Sequence, residues 1–212
     1  MDRAALRSVE NKEGMPEYLK TLGESVTSLL IETSAIDKAE LQKQMTKIAR
    51  SLNNYDLVLP IVFTDVISEY SKLWDIRKGL FPSVGAMRKI GTSCIIEDVA
   101  FPIDKLADAA LELQSLFAKY HYDEAIIFGH SLEGNLHFVF NQDFSGDSEV
   151  QRYKAFMDEV IEMTAGKYKG SLKAEHGTGR NMAPFVKYEW GEKAYLMMYE
   201  IKKIFDPENI LN

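Results

Sequence analysis

The 212-residue chain has one cysteine, Cys94, and four histidines. A single thiol excludes an intramolecular disulfide and any zinc or iron–sulfur site built from several cysteines of this chain, which fits a reducing compartment, the cytoplasm by default. Long apolar runs are missing too: the most apolar stretch, Leu57 to Phe63, is seven residues and is interrupted by Pro60. A membrane span needs roughly 20 such residues. The first ten residues carry two arginines and no apolar run, so no signal peptide is read either. Peripheral association with a membrane surface remains compatible with this. Excess positive charge is also absent. With 25 Lys and Arg against 32 Asp and Glu the net charge is −7, so the average surface repels nucleic-acid phosphates. There is no repeat of 20 to 50 residues and no clustering of glycine or proline into a linker, and one compact unit is the simplest organisation.

Apolar spacing then locates the elements. Residues 1–27 have weak periodicity and read as an irregular approach or a single turn of helix. Thr27 to Glu32 and Leu57 to Phe63 read as strands. Asp37 caps a helix whose Leu41, Met45, Ile48 and Leu52 share a face, and Thr64 and Asp65 cap a second that ends near Gly79. Ser93 to Phe101 reads as a strand. Pro102 opens a helix lined by Leu106, Ala110, Leu113, Phe117 and Tyr120, ending near His121. Glu124 to Phe128 and Leu136 to Phe140 form an expected antiparallel hairpin across the polar segment Gly129 to Asn135. A fourth helix carries Val150, Tyr153, Met157, Val160 and Ile161. A fifth runs from Trp190 through Phe205 to a stop at Asp206-Pro207. Four or five strands and five helices in this order imply an α+β fold, a ferredoxin-like antiparallel or mixed sheet with helices packed mainly on one face.

Three of the four histidines fall in two short polar segments beside glycine. Gly129 to His137 places His130 and His137 at the two ends of the hairpin turn, which can bring both imidazoles to one point. Lys173 to Arg180 places Glu175 and His176 side by side in a loop with Gly177 and Gly179. Two imidazoles and a carboxylate, His130, His137 and Glu175, make a three-ligand set with an open position, the arrangement that a catalytic zinc or similar divalent ion uses. His176 is then left over as a base. The alternative is that each histidine caps a turn or satisfies a core hydrogen bond. Between Arg77 and Ser93 lie four cations, Arg77, Lys78, Arg88 and Lys89, and no acid. An anionic ligand could dock there, or the charges could simply be solvated, with Arg77 also favoured near a helix C-terminus. No dinucleotide fingerprint, P-loop or Gly-x-Ser-x-Gly elbow occurs, so the chain by itself gives no support for nucleotide or flavin binding or for a hydrolytic triad.

The two histidine segments, in this order, resemble those of the FAD-linked oxidase C-terminal domain of D-lactate, glycolate and D-2-hydroxyglutarate dehydrogenases. That family carries Gly-His-x-Gly-Asp-Gly-Asn-Leu-His and Gly-x-x-x-x-Glu-His-Gly-x-Gly, matched by Gly129 to His137 and Gly170 to Gly179. Glu97-Asp98-Val99 before Pro102, Leu73-Trp74 before Arg77, and Asp206 to Asn212 match three further motifs. The resemblance covers residues 28–212 and looks nearest to long bacterial members that carry an iron–sulfur cluster in another domain. It implies a substrate-binding cap excised from a larger enzyme, inactive alone, whose FAD is held mainly by a separate FAD-binding domain. The metal is implied at His130, His137 and Glu175, with His176 as base for a small-molecule 2-hydroxy acid and Arg77 on a substrate carboxylate. Asn212 is implied near the cofactor. Departures fall at Leu132, Glu133 and Val139, while Phe81 and Ile96 replace the threonine and lysine that hold a diacid in some members. Arg88 and Lys89 are the candidates to replace that charge. A free-standing zinc hydrolase and a non-catalytic ferredoxin-like binding module stay open as alternatives.

Overall fold

The computed structural model describes residues 1–211, the side chain of Met87 apart. The chain divides into two compact units, Met1–Ala86 and Met87–Asn212, where the even spread of glycine and proline favours one.

The first unit is helical. Its opening helix α1 (Arg3–Val9) forms because Asp2 accepts the Ala5 amide at 2.8 Å, and it buries Ala5, Leu6 and Val9; a 3₁₀ turn at Glu17–Thr21 then buries Leu19. These first twenty residues are therefore more regular than their weak periodicity implies. Helix α2 (Lys38–Leu52) starts at Asp37, whose carboxylate accepts the Glu40 amide at 2.8 Å as the capping pattern requires. Helix α3 (Ile67–Lys78) ends at Gly79 as expected. The two strands read at Thr27 to Glu32 and Leu57 to Phe63 do not form: both segments are irregular. A strand needs a neighbour for its amides and carbonyls, and the first unit supplies none, so Val58 and Val62 stay 64% and 75% exposed. Helix α4 (Leu80–Met87) was not foreseen; Pro82 sits in its first turn, where the missing amide costs nothing.

The second unit is built around β1 (Thr92–Ala100), α5 (Leu106–Lys119), β2 (Ile126–His130), β3 (Asn135–Asp143) and α6 (Asp147–Ile161). The strands lie in the order β1-β3-β2 and every pairing is antiparallel, so the sheet is not mixed. The described residues hold three strands, and the fourth edge of a ferredoxin-like sheet shrinks to one bridge. Ala100 and Ser171 exchange amide–carbonyl bonds of 2.9 and 2.8 Å beside β1. Gly170 makes this approach achievable, because a Cβ there would lie 2.2 Å from the Ala100 carbonyl oxygen. Beyond it come the short α7 (Gly179–Met182) and α8 (Val186–Phe205), the latter broken at Gly191 and stopped at Asp206 as the Asp-Pro pair requires.

Strand alternation gives the sheet two unlike faces. Ile95, Val99, Ile127, Leu136, Phe138 and Phe140 join Leu113 and Phe117 of α5 and Phe156, Met157 and Val160 of α6 in one core. Phe117 stacks on Phe156 at 5.3 Å, and Tyr122 meets Phe140 edge-on at 4.6 Å. The opposite face carries Asp98 of β1 and His137 and Val139 of β3, together with Ile126, Phe128 and His130 of β2. Here Asp98 pairs with His137 across β1–β3, and His137 with Phe128 across β3–β2.

Candidate functional site

The site grows from that second face. His137 sits mid-strand and its side chain is 4% exposed, whereas His130, at the last position of β2, is 53% exposed. Between them the 3₁₀ turn Ser131–Glu133 closes at Gly134 in the left-handed conformation (φ 64°). The hairpin thus turns both imidazoles toward one point, with the rings edge to face at 5.5 Å.

The second arm arrives from the loop after the Ser171 bridge. Glu189 of α8 holds its start, accepting the Ser171 hydroxyl at 2.7 Å and the Leu172 amide at 3.0 Å. Asp98 holds its end: one carboxylate oxygen, Oδ2, accepts the backbone amides of Ala174, Glu175 and His176 at 3.1, 2.6 and 3.2 Å. Lys173 bridges the neighbouring acids, pairing with Glu97 and lying 3.3 Å from Asp98 Oδ1, while the Asn181 amide donates to Glu97 at 2.5 Å. So anchored, Glu175 places Oε1 2.8 Å from His137 Nε2 and 3.4 Å from His130 Nε2. His176 stacks on His137 with ring centres 4.8 Å apart.

Two ligands at tetrahedral angles around zinc, at roughly 2.1 Å each, stand roughly 3.4 Å apart. Glu175 Oε1 stands at that spacing from His130 Nε2, 3.4 Å, and closer to His137 Nε2, 2.8 Å, and the ligand atoms of all three lie within 4.8 Å of one another. Asp98, His137 and His176 form a second group within the same limit, sharing His137. Burial, and then the nearby His176 charge, pushes the His137 imidazole down to about 4, so it stays neutral and able to donate a lone pair at pH 7. For Asp98 burial acts upward, but the amides of Glu175 and His176 and then the charge of Lys173 outweigh it and hold the carboxyl below its usual range. The residues therefore fit a divalent cation. Buried His137 Nδ1 has no hydrogen-bond partner among the described residues.

His130, His137, Glu175 and His176 are thus brought together. Arg77 lies half-buried in α3 of the first unit, near the α-amino group of Met1. Arg88 and Lys89 are exposed just before Thr92, where β1 begins, and Asp98 lies six residue steps along the strand from Thr92, roughly 20 Å. The structure therefore does not bring these two cations to the imidazoles. Asn212 lies outside the described residues. Glu97, Asp98 and Lys173 went unnoticed as site residues. Their signal was present, since two successive acids inside an apolar strand must put at least one charge toward a buried face.

No helix of the described residues is long and apolar enough to cross a membrane. The family model for FAD linked oxidases, C-terminal domain, matches residues 1–212. The chain is 32% identical over 188 residues to a probable mitochondrial D-2-hydroxyglutarate dehydrogenase of Oryza sativa subsp. indica, covering 87% of this chain and 31% of that one. It is 27% identical over 214 residues to the glycolate oxidase subunit GlcD of Bacillus subtilis, covering 100% and 43%, and 24% identical to a D-lactate dehydrogenase of Anaerostipes hadrus, covering 100% and 44%. The chain thus spans less than half the length of each of these relatives. The ordered histidine segments, their convergence beside one sheet face and the match along all 212 residues lead to one conclusion: this chain belongs to the FAD-linked oxidase C-terminal domain family.

Proposed function

We propose that residues 28–212 act as the substrate- and metal-binding cap of an FAD-dependent oxidoreductase that oxidises a D-2-hydroxy acid, of the D-lactate or D-2-hydroxyglutarate type, to the 2-oxo acid. The observation that carries this reading is the approach of Glu175 Oε1 to both His137 Nε2 and His130 Nε2, at 2.8 and 3.4 Å. A divalent ion held by these three groups, zinc or a similar one, would supply a Lewis acid for the substrate's carboxylate and hydroxyl oxygens. A flavin held by the FAD-binding domain of the whole protein supplies the hydride acceptor.

This chain's residues do the rest. His130 and His137 aim ring nitrogens at one point, His137 as a neutral imidazole, and Glu175 adds the negative charge that favours a cation there. His176, beside His137 and 38% exposed, takes the hydroxyl proton as the α-carbon gives up its hydride. The shared site and the family match favour this over a free-standing hydrolase or a binding module.

Zinc titration of the full chain tests it. The expected result is one site per chain, weakened on the order of hundredfold or more by either His130→Ala or Glu175→Ala. Variants that bind zinc as tightly as the parent chain refute it.

A further inference from the structure

A carboxylate at the centre of a strand is expensive to bury unless its oxygens are satisfied. Asp98 is fully buried on β1, and it spends Oδ2 entirely on three successive amides, those of Ala174, Glu175 and His176. Successive amides converging on one oxygen form a small anion cradle. Here the cradle is the very tripeptide that carries Glu175 and His176. The other oxygen, Oδ1, has no hydrogen-bond partner among the described residues; it faces Lys173 Nζ at 3.3 Å and His176 Nδ1 at 3.6 Å.

From this geometry we infer that Asp98 is a positioning residue for the reaction: it sets where Glu175 stands over His137, and its Oδ1 selects the tautomer of His176. A carboxylate facing Nδ1 favours the proton on that nitrogen, which leaves the Nε2 lone pair to accept the substrate's hydroxyl proton. The imidazolium so formed lies beside the carboxylate and is stabilised by it. Histidine bases oriented by a buried aspartate work in this way. At 3.6 Å the two groups face one another beyond hydrogen-bond length, with the proton on Nδ1 directed at Oδ1. This role for His176 rests on the reading of the site as an oxidoreductase centre. The hold on the loop does not.

The test uses the full chain in metal-free form. Nitrogen-15 NMR of the histidine rings at pH 8 reads the His176 tautomer, and zinc titration reads the site. The expected wild-type result is Nδ1–H, the tautomer that a free imidazole disfavours. Asp98→Asn is expected to lose that preference and to weaken zinc about 10- to 100-fold, the range for removing a group that orients metal ligands. Circular dichroism shows whether the variant is folded. A wild-type His176 protonated on Nε2 overturns the inference, and so does a folded Asp98→Asn chain with tautomer and zinc affinity unchanged. If Asp98→Asn does not fold, the wild-type tautomer decides alone. If the wild-type chain binds no zinc yet keeps the Nδ1–H tautomer, the metal-centre reading falls and the role of Asp98 stands.

Discussion

The two faces of the β1-β3-β2 sheet use the same three strands for opposite purposes. On one face Phe138, Phe140, Phe117 and Phe156 exclude water and pack with ring centres within 6.5 Å of each other. On the other, Asp98 and His137 stand opposite each other in mid-sheet, and the polar loop 173–176 is tied down on them. Both faces are buried, but they obtain their order differently. The aromatic face needs only volume and apolar surface, which many sequences supply. The polar face needs each charge matched to a particular donor, and one missing partner leaves a buried group unpaired. Stability therefore concentrates on one side of the sheet and chemistry on the other, separated by the thickness of one strand.

The sharpest way to break this contrast is to truncate each face in turn. Phe138→Ala, on a side chain with no exposure, is expected to cost about 3–5 kcal/mol in urea unfolding. It should impair zinc binding only through loss of the folded state. His137→Ala, one residue away and pointing to the other face, should do the reverse. Zinc affinity should fall on the order of hundredfold or more, while the metal-free chain loses less stability than with Phe138→Ala. Equal destabilisation by the two variants, with equal loss of metal, would erase the distinction between the faces.

Acid provides a gentler probe of the polar face. His137 is held at about 4 when folded, below its ordinary value, so the unfolded chain binds its proton first as pH falls. The stability tied to its neutral form is complete above about pH 6.5 and declines as pH drops from there toward 4. The unfolding free energy of the metal-free chain should show that decline in urea titrations at stepped pH, and His137→Phe should flatten it. The smallest effect belongs to the hairpin tip, where Leu132 is 93% exposed. Leu132→Ser is expected to change stability by less than about 0.5 kcal/mol, and a larger change would mean that the tip supports the site.

Much of the second unit could be read directly from residue order. The strand at Ser93 to Phe101, the helix opened by Pro102, the hairpin around Gly129 to Asn135 and the helix carrying Tyr153 and Met157 all lie within a few residues of where periodicity puts them. The first unit was less legible. Thr27 to Glu32 and Leu57 to Phe63 have strand-like composition, but an apolar run becomes a strand only beside a partner, and pairing is not a local property. In the site, glycine and histidine spacing exposed His130, His137, Glu175 and His176. Asp98 escaped because nothing near it in the chain names its partners, the amides at 174–176.

What the sequence determined alone is the local chemistry: a hairpin with an imidazole at each end, a glycine-rich loop with a carboxylate beside an imidazole, and an alternation that sends Phe138 one way and His137 the other. Short-range sterics and period-two geometry are enough for that. Tertiary structure decided which distant groups meet. The Ser171 bridge to Ala100 carries the loop along the edge of β1, and only then can a buried aspartate gather three amides and place Glu175 between two histidines. Such contacts cross more than 70 residues of chain, and they form because the buried charge of Asp98 must find donors wherever the folded backbone presents them.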